Sequence, residues 1–189
     1  MTIDHQEDEV PVRKWAEINV NKDFINVCSR SGYRATICDQ DQKDEYLSIN
    51  IDNIMLGSHI REALSLSRFI DPELQYELHS YLYDTERYYA WVKYVMKKFK
   101  YKTKGAMFKP MLFCTITLYN QNITIAPWHQ YQMGGWDEGK LIEADNVVIP
   151  DACTDEELGK AARLALHRCT SAFGDNPLAV TTLTARKPL

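Results

Sequence analysis

No stretch of this 189-residue chain approaches the roughly 18 consecutive apolar residues that a membrane-spanning helix requires, so no transmembrane helix is readable in it. A secretory signal opens on basic residues followed by an apolar run. Met1 to Glu9 is acidic and polar instead, carrying Asp4, Glu7, Asp8 and Glu9, so the expectation is a protein that stays in the cytosol and away from membranes. Glycine (8) and proline (7) are too few for a fibrous or low-complexity chain, and the hydrophobic share of 45% is that of a globular one. The length suits one domain with a substantial core.

Cysteine is scattered and odd in number. Cys28, Cys38, Cys114, Cys153 and Cys169 form no CxxC pair and no Cys/His quartet with zinc spacing. Each sits among apolar neighbours, so five free, buried thiols in a reducing compartment are expected. Catalytic signatures are missing too: no GxSxG elbow, no Walker loop, no GxGxxG and no HExxH. The sequence therefore offers no catalytic residue, no cofactor-binding motif and no metal site.

Charge is unevenly spread. Eight basic residues and no acid lie between Arg87 and Lys109, which leaves 14 Lys+Arg against 26 Asp+Glu elsewhere, a balance of −12. One basic face on an otherwise acidic molecule disfavours nucleic acid as partner and favours a basic protein.

Residues 1–12 read as a disordered acidic lead-in, 13–172 as a single α+β domain, and 173–189 as a weakly structured tail. Strand-like segments fall at 15–20, 24–29, 33–39 and 46–51, with a turn at Ser31-Gly32 and a polar loop at 39–44. Asp52 or Asn53 caps a helix to about Ser67, with Leu56, Ile60, Ala63 and Leu64 on one face. Asp71-Pro72 reads as another helix start. A further helix at 84–99 places Tyr88, Val92, Val95 and Phe99 on an apolar face. Lys93, Lys97, Lys100 and Lys104 form a solvated stripe on another.

A hairpin follows, 111–119 and 123–128 around Asn120 to Asn122, then an aromatic and glycine-rich loop to Gly139, a strand at 146–149, and a helix from the capping box at Thr154 and Glu157 to about Thr170. Leu56-Gly57 with Arg61, Ala63 and Leu64 matches Leu158-Gly159 with Arg163, Ala165 and Leu166 at a constant offset of 102. The match suggests two hairpin–strand–helix halves joined by the basic helix. The fold class is α+β, an antiparallel sheet under packed helices.

Two segments carry candidate chemistry. The loop Trp128, His129, Tyr131, Trp136, Asp137 and Glu138 combines aromatic anchors with a flexible Gly134-Gly135 pair. It suits a protein-binding loop. Its composition also fits a purely structural loop, or a small hydrolase site using His129 as acid–base. The stretch Lys97 to Lys109 interleaves Phe99, Tyr101 and Phe108 with lysines, the pattern of a nucleic-acid stripe.

Several runs recur in an order that carries a family likeness: Gly32-Tyr33-Arg34-Ala35; Leu66-Ser67-Arg68-Phe69; Tyr101-Lys102-Thr103-Lys104 with Phe108-Lys109; and Asn146 to Pro150 leading to Leu158-Gly159 and Leu164-Ala165-Leu166. Together, across Trp15 to Ser171, the chain resembles immunity proteins of bacterial contact-dependent growth inhibition systems. The resemblance implies a cytosolic protein without catalytic residues that binds and neutralises the C-terminal toxin domain delivered by a neighbouring cell. It transfers no site residue, because cognate pairs differ in their contacts. Gly105 departs from the larger, basic residue expected at its turn.

Overall fold

A computed structural model of the chain describes residues 13–33, 35–39, 45–70 and 85–176. The expected lead-in, most of the polar loop, the Asp71-Pro72 helix start and the tail beyond 176 lie outside them. Strands β1 (Lys14–Val20) and β2 (Ile25–Gly32) form a hairpin around Asn21, whose side-chain oxygen accepts from the amides of Asp23 and Phe24. Strands β3 (Thr36–Cys38) and β4 (Glu45–Leu47) pair with opposite ends of β2. Helix α1 (Asn53–Leu66) begins at Asp52, which accepts from the Met55 amide.

Helices α2 (Thr85–Lys98) and α3 (Lys104–Phe108) come next. The second hairpin, β5 (Leu112–Tyr119) and β6 (Asn122–Pro127), turns through Asn120 and Gln121, both at positive φ, as a type I′ turn demands. Short strands β7 (His129–Gln132), β8 (Gly135–Asp137) and β9 (Val147–Pro150), helix α4 (Asp155–Arg168) and strand β10 (Thr170–Ser171) complete the described chain.

Seven strands form one antiparallel sheet, ordered β3-β2-β1-β5-β6-β9 with β4 also on β2. The period-2 pattern of β1 sends Ala16, Ile18 and Val20 to one face, where α1 and α4 cover them. Ile116, Ile123, Ile125, Leu56 and Leu158 are fully buried in the same layer, and each such side chain contributes about 1.5–3 kcal/mol by leaving water.

The repeat glimpsed in the sequence is a pseudo-two-fold axis in the structure. Ile25 pairs with Leu47 in the first half and Ile123 with Ile149 in the second. The axis passes between the central strands β1 and β5. Where the helices cross, Gly57 lies against the backbone of Asp155 and Gly159 against that of Asn53, so close that a β-carbon would sit 1.8 and 2.0 Å from those carbonyl oxygens. Arg61 reaches Asp155 and the Cys153 carbonyl; Arg163 reaches Asn53 and the Ile51 carbonyl. Every partner in the second set is its counterpart in the first shifted by 102 residues. The two halves are therefore hairpin, strand and capped helix, twice.

The bridge between them builds a second core. Phe24, Val92, Val95, Met107, Phe108 and Met111 are buried together, with Trp91, Phe99, Tyr101 and Trp136 packed around them. Tyr101 donates to Asp23 at 2.5 Å, and burial first, that carboxylate second, push its phenol well above the usual range. Lys93, Lys97, Lys100 and Lys104 are exposed, as a solvated stripe requires. Tyr88, expected on the buried face, is 42% exposed, and Trp91 lines the core in its place.

Two expectations need correction. The glycine-rich segment after Trp128 is not a loop but the hairpin β7–β8, which β10 joins in parallel as a small second sheet. Alternation is hidden there by a register shift between Gln130 and Gln132. The five thiols are not all free: Cys28 and Cys38 form a disulfide joining β2 to β3, while Cys114, Cys153 and Cys169 are free. Cysteine usage thus no longer argues for a reducing compartment. Both strands of the β5–β6 hairpin are paired on both sides, so this hairpin has no open edge. Among the described residues, no helix is long and apolar enough to cross a membrane.

Candidate partner-binding site

The aromatic segment is held in place before any of it reaches solvent. Gln130, 1% exposed, donates through Nε2 to the Phe108 carbonyl at 2.7 Å and accepts through Oε1 from Ser171. One side chain so ties β7 to α3 and to β10. Sequence reasoning passed over Gln130, because a glutamine in a polar segment carries no signal of burial. At the tip, Gly134 has φ 76, and a β-carbon there would lie 3.3 Å from both Phe108 and the Tyr88 hydroxyl. The tip is therefore pressed onto α2 and α3, where only glycine meets both demands.

The six expected site residues divide into two groups. Trp128 is half-buried, with Nε1 donating to Thr115 at 3.0 Å. His129 is half-buried with Nδ1 2.8 Å from the Thr170 hydroxyl, and Gly139 packs directly over its ring. Trp136 lies on Phe113, ring centroids 5.1 Å apart, and its Nε1 is buried without a partner. These three rings are internal props. Tyr131 (48% exposed), Asp137 and Glu138 face solvent, and the register shift at Gln130/Gln132 falls at Tyr131.

Beyond Glu138 the surface stays acidic. Residues 137–157 carry eight carboxylates against Lys140 alone, and of these Asp137, Glu138, Glu143, Glu156 and Glu157 are exposed. Thr154 and Glu157 make the expected capping box, the hydroxyl accepting from the Glu157 amide and the carboxylate accepting from Thr154. These hydrogen bonds, backbone first, hold the Glu157 carboxyl below its usual range.

The lysine-rich stretch is less suited to nucleic acid than its composition implies. Phe108 is 2% exposed, and Phe99 and Tyr101 pack on the second core. Rings turned inward cannot stack on bases. At the other end of the bridge, sequence reasoning missed a cluster. Tyr88 and Tyr89 stand 5.5 Å apart, Lys104 lies 4.6 Å above Tyr89, and Met133 at the β7–β8 tip is 49% exposed. A β-carbon on Gly105 would meet only ordinary contacts at 3.8 Å, Met133 among them, so glycine is not sterically required there.

A seven-strand sheet under two helices thus carries a small propped hairpin that exposes Tyr131, Asp137 and Glu138. The chain belongs to the CDI immunity protein family, whose match spans residues 14–169, and it is thus an inhibitor and not an enzyme. Immunity protein CdiI-YPIII of Yersinia pseudotuberculosis serotype O:3 is 37% identical over 169 residues, covering 82% of this chain and 94% of that protein. The solved CdiA-CT/CdiI toxin and immunity complex from Yersinia pseudotuberculosis matches with a TM-score of 0.73 and 32% identity, covering 84% of this chain and 98% of the other. A Neisseria meningitidis protein of unknown function has the same fold, with a TM-score of 0.74, 30% identity and coverages of 84% and 96%. The family expected from the sequence is the family found.

Proposed function

We propose that this protein binds the C-terminal toxin domain of its own contact-dependent growth inhibition system in the cytosol and neutralises it by occlusion. The observation that carries this reading is the relation to a Yersinia immunity protein across 94% of its length, together with a related chain in complex with a CdiA-CT toxin. The toxin is a basic, nucleic-acid-cleaving domain. The exposed carboxylates Asp137, Glu138, Glu143, Glu156 and Glu157 steer it by long-range attraction, and the β7–β8 hairpin supplies the close contacts. Since β5 and β6 are paired on both sides, a toxin strand adds at β8, which pairs only with β7 among the described residues.

Tight binding is needed, because a small free fraction of a catalytic toxin is lethal, and charge alone does not supply it. The test is co-expression with the toxin domain encoded by the adjacent reading frame. The expected result is a stable one-to-one complex on size exclusion, loss of toxin activity, and association that slows as salt rises. A toxin that stays active and unbound rejects the reading.

A further inference from the structure

Two features that look like rivals in the sequence, the aromatic loop and the lysine helix, are one continuous surface in the structure. The β7–β8 tip rests on Tyr88 and Phe108 through Gly134, while Met133 reaches over Gly105. Tyr88, Tyr89 and Met133 are 42%, 51% and 49% exposed around that seam. Lys104 lies 4.6 Å above the ring of Tyr89 and 5.7 Å above that of Tyr88. Lys104 is the cation placed at the seam, while Glu86 stands exposed in the first turn of α2. At the far end of β8, three residues long, stand exposed Asp137 and Glu138. The hairpin thus separates a cationic, tyrosine-rich end from an anionic end.

We propose that the surface formed by Tyr88, Tyr89, Lys104 and Met133 is a second docking site for the toxin domain, and that it receives an acidic segment of that toxin. The inference rests on the toxin-binding reading above and adds orientation to it. A partner that sets basic groups against Asp137 and Glu138 and a carboxylate against Lys104 complements both ends of the hairpin, whereas one that is basic at both ends is repelled at Lys104. Exposed tyrosine and methionine beside one cation are the residue types that supply contact area at interface centres. The two-signed surface fixes which way round the toxin binds, and so which toxin is accepted.

The experiment measures binding of the adjacent-frame toxin domain to the full chain and to Lys104→Arg, Lys104→Gln, Lys104→Glu, Tyr89→Ala and Lys97→Glu/Lys100→Glu variants, each first checked for unchanged thermal unfolding. The expected order of affinity is wild type and Arg, then Gln, then Glu. The Glu variant should weaken binding by about tenfold or more, and Tyr89→Ala by a similar factor. The Lys97/Lys100 pair, which makes none of the contacts at the seam given above, should change it by less than about threefold. Equal affinities for Arg, Gln and Glu at position 104 overturn the acidic-segment proposal, even where Asp137→Asn/Glu138→Gln still slows association. Loss of duplex-DNA retention in Lys104→Glu at physiological salt, with toxin binding intact, assigns the surface to nucleic acid and overturns it as well. Absence of toxin binding by the wild-type chain rejects the parent reading instead.

Discussion

Arg61 and Arg163 do the same work in opposite directions. Arg61 leaves α1 to hold the start of α4 through Asp155, Asp151 and the Cys153 carbonyl; Arg163 leaves α4 to hold the start of α1 through Asn53 and the Ile51 carbonyl. The set is not fully symmetric, because Asp155 is charged where Asn53 is neutral. The Asp155 hydrogen bond is the main cause that raises the Arg61 pKa above its usual range. Each arginine caps the backbone of the other half, so neither half is complete alone.

The glycines at the same crossing make the first prediction. Gly57→Ala and Gly159→Ala each place a β-carbon inside the backbone of the opposite helix. Helix propensity alone favours alanine by about 1 kcal/mol, but an overpacked contact against rigid backbone costs about 3 kcal/mol. Urea unfolding should therefore show a net loss for both variants, by similar amounts. A stabilised Gly159→Ala variant would contradict the close crossing.

The capping box predicts a pH dependence. Thr154 hydrogen bonds depress the Glu157 carboxyl in the folded state. A depressed carboxyl stabilises the fold above its unfolded pKa of about 4.3, and that contribution is lost as pH falls through the lower folded value. Thr154→Ala should cost about 1 kcal/mol at pH 7, and the variant should lose less stability than wild type on acidification. Parallel stability curves for the two proteins between neutral and acid pH would count against the box.

Cysteine chemistry gives a third. Cys114 and Cys169 are 0% and 2% exposed with their sulfurs 3.5 Å apart, and burial pushes the Cys114 thiol up. Thiolate is the reactive species, and the Cys114 hydrogen bond holds the Cys169 thiol below its usual range, so the protection of Cys169 rests on its burial; both should resist alkylation in the native protein. Cys153 is partly exposed beside Arg61. Under non-reducing native conditions, mass spectrometry should find one adduct, at Cys153, and three after denaturation. Two or more native adducts would refute the assignment.

Much of the architecture was legible because local signals agreed with global packing. Alternation in β1 and β5, the Asp52 and Thr154 caps and the Leu-Gly repeat each named an element that the structure contains. The β7–β8 hairpin was hidden because a bulge breaks its alternation and its strands are only four and three residues long. Gln130 was hidden because its burial depends on Phe108 and Ser171, distant in sequence. The seam at Tyr88 was hidden for a related reason. Helical periodicity assigned that tyrosine to the core, whereas the tip of a distant hairpin holds it at the surface.

The last prediction separates support from contact within the β7–β8 hairpin. Trp136 props the second core against Phe113, and its indole N–H is buried unpaired. Trp136→Ala should therefore destabilise the fold by about 3 kcal/mol. Trp136→Phe keeps a ring and deletes a donor whose burial is unfavourable, so it should be nearly neutral in stability and in toxin affinity. Tyr131, exposed at the bulge, should behave in the opposite way. Its truncation to alanine should leave unfolding unchanged and cost about 2 kcal/mol of toxin binding. Asp137→Asn with Glu138→Gln should slow association with little effect on dissociation, and the difference from wild type should vanish at high salt, since screening removes the long-range attraction. Calorimetric unfolding and binding kinetics on the same preparations distinguish the roles. Unchanged affinity in Tyr131→Ala and in the double charge removal would make the whole hairpin a structural prop and move the toxin interface elsewhere.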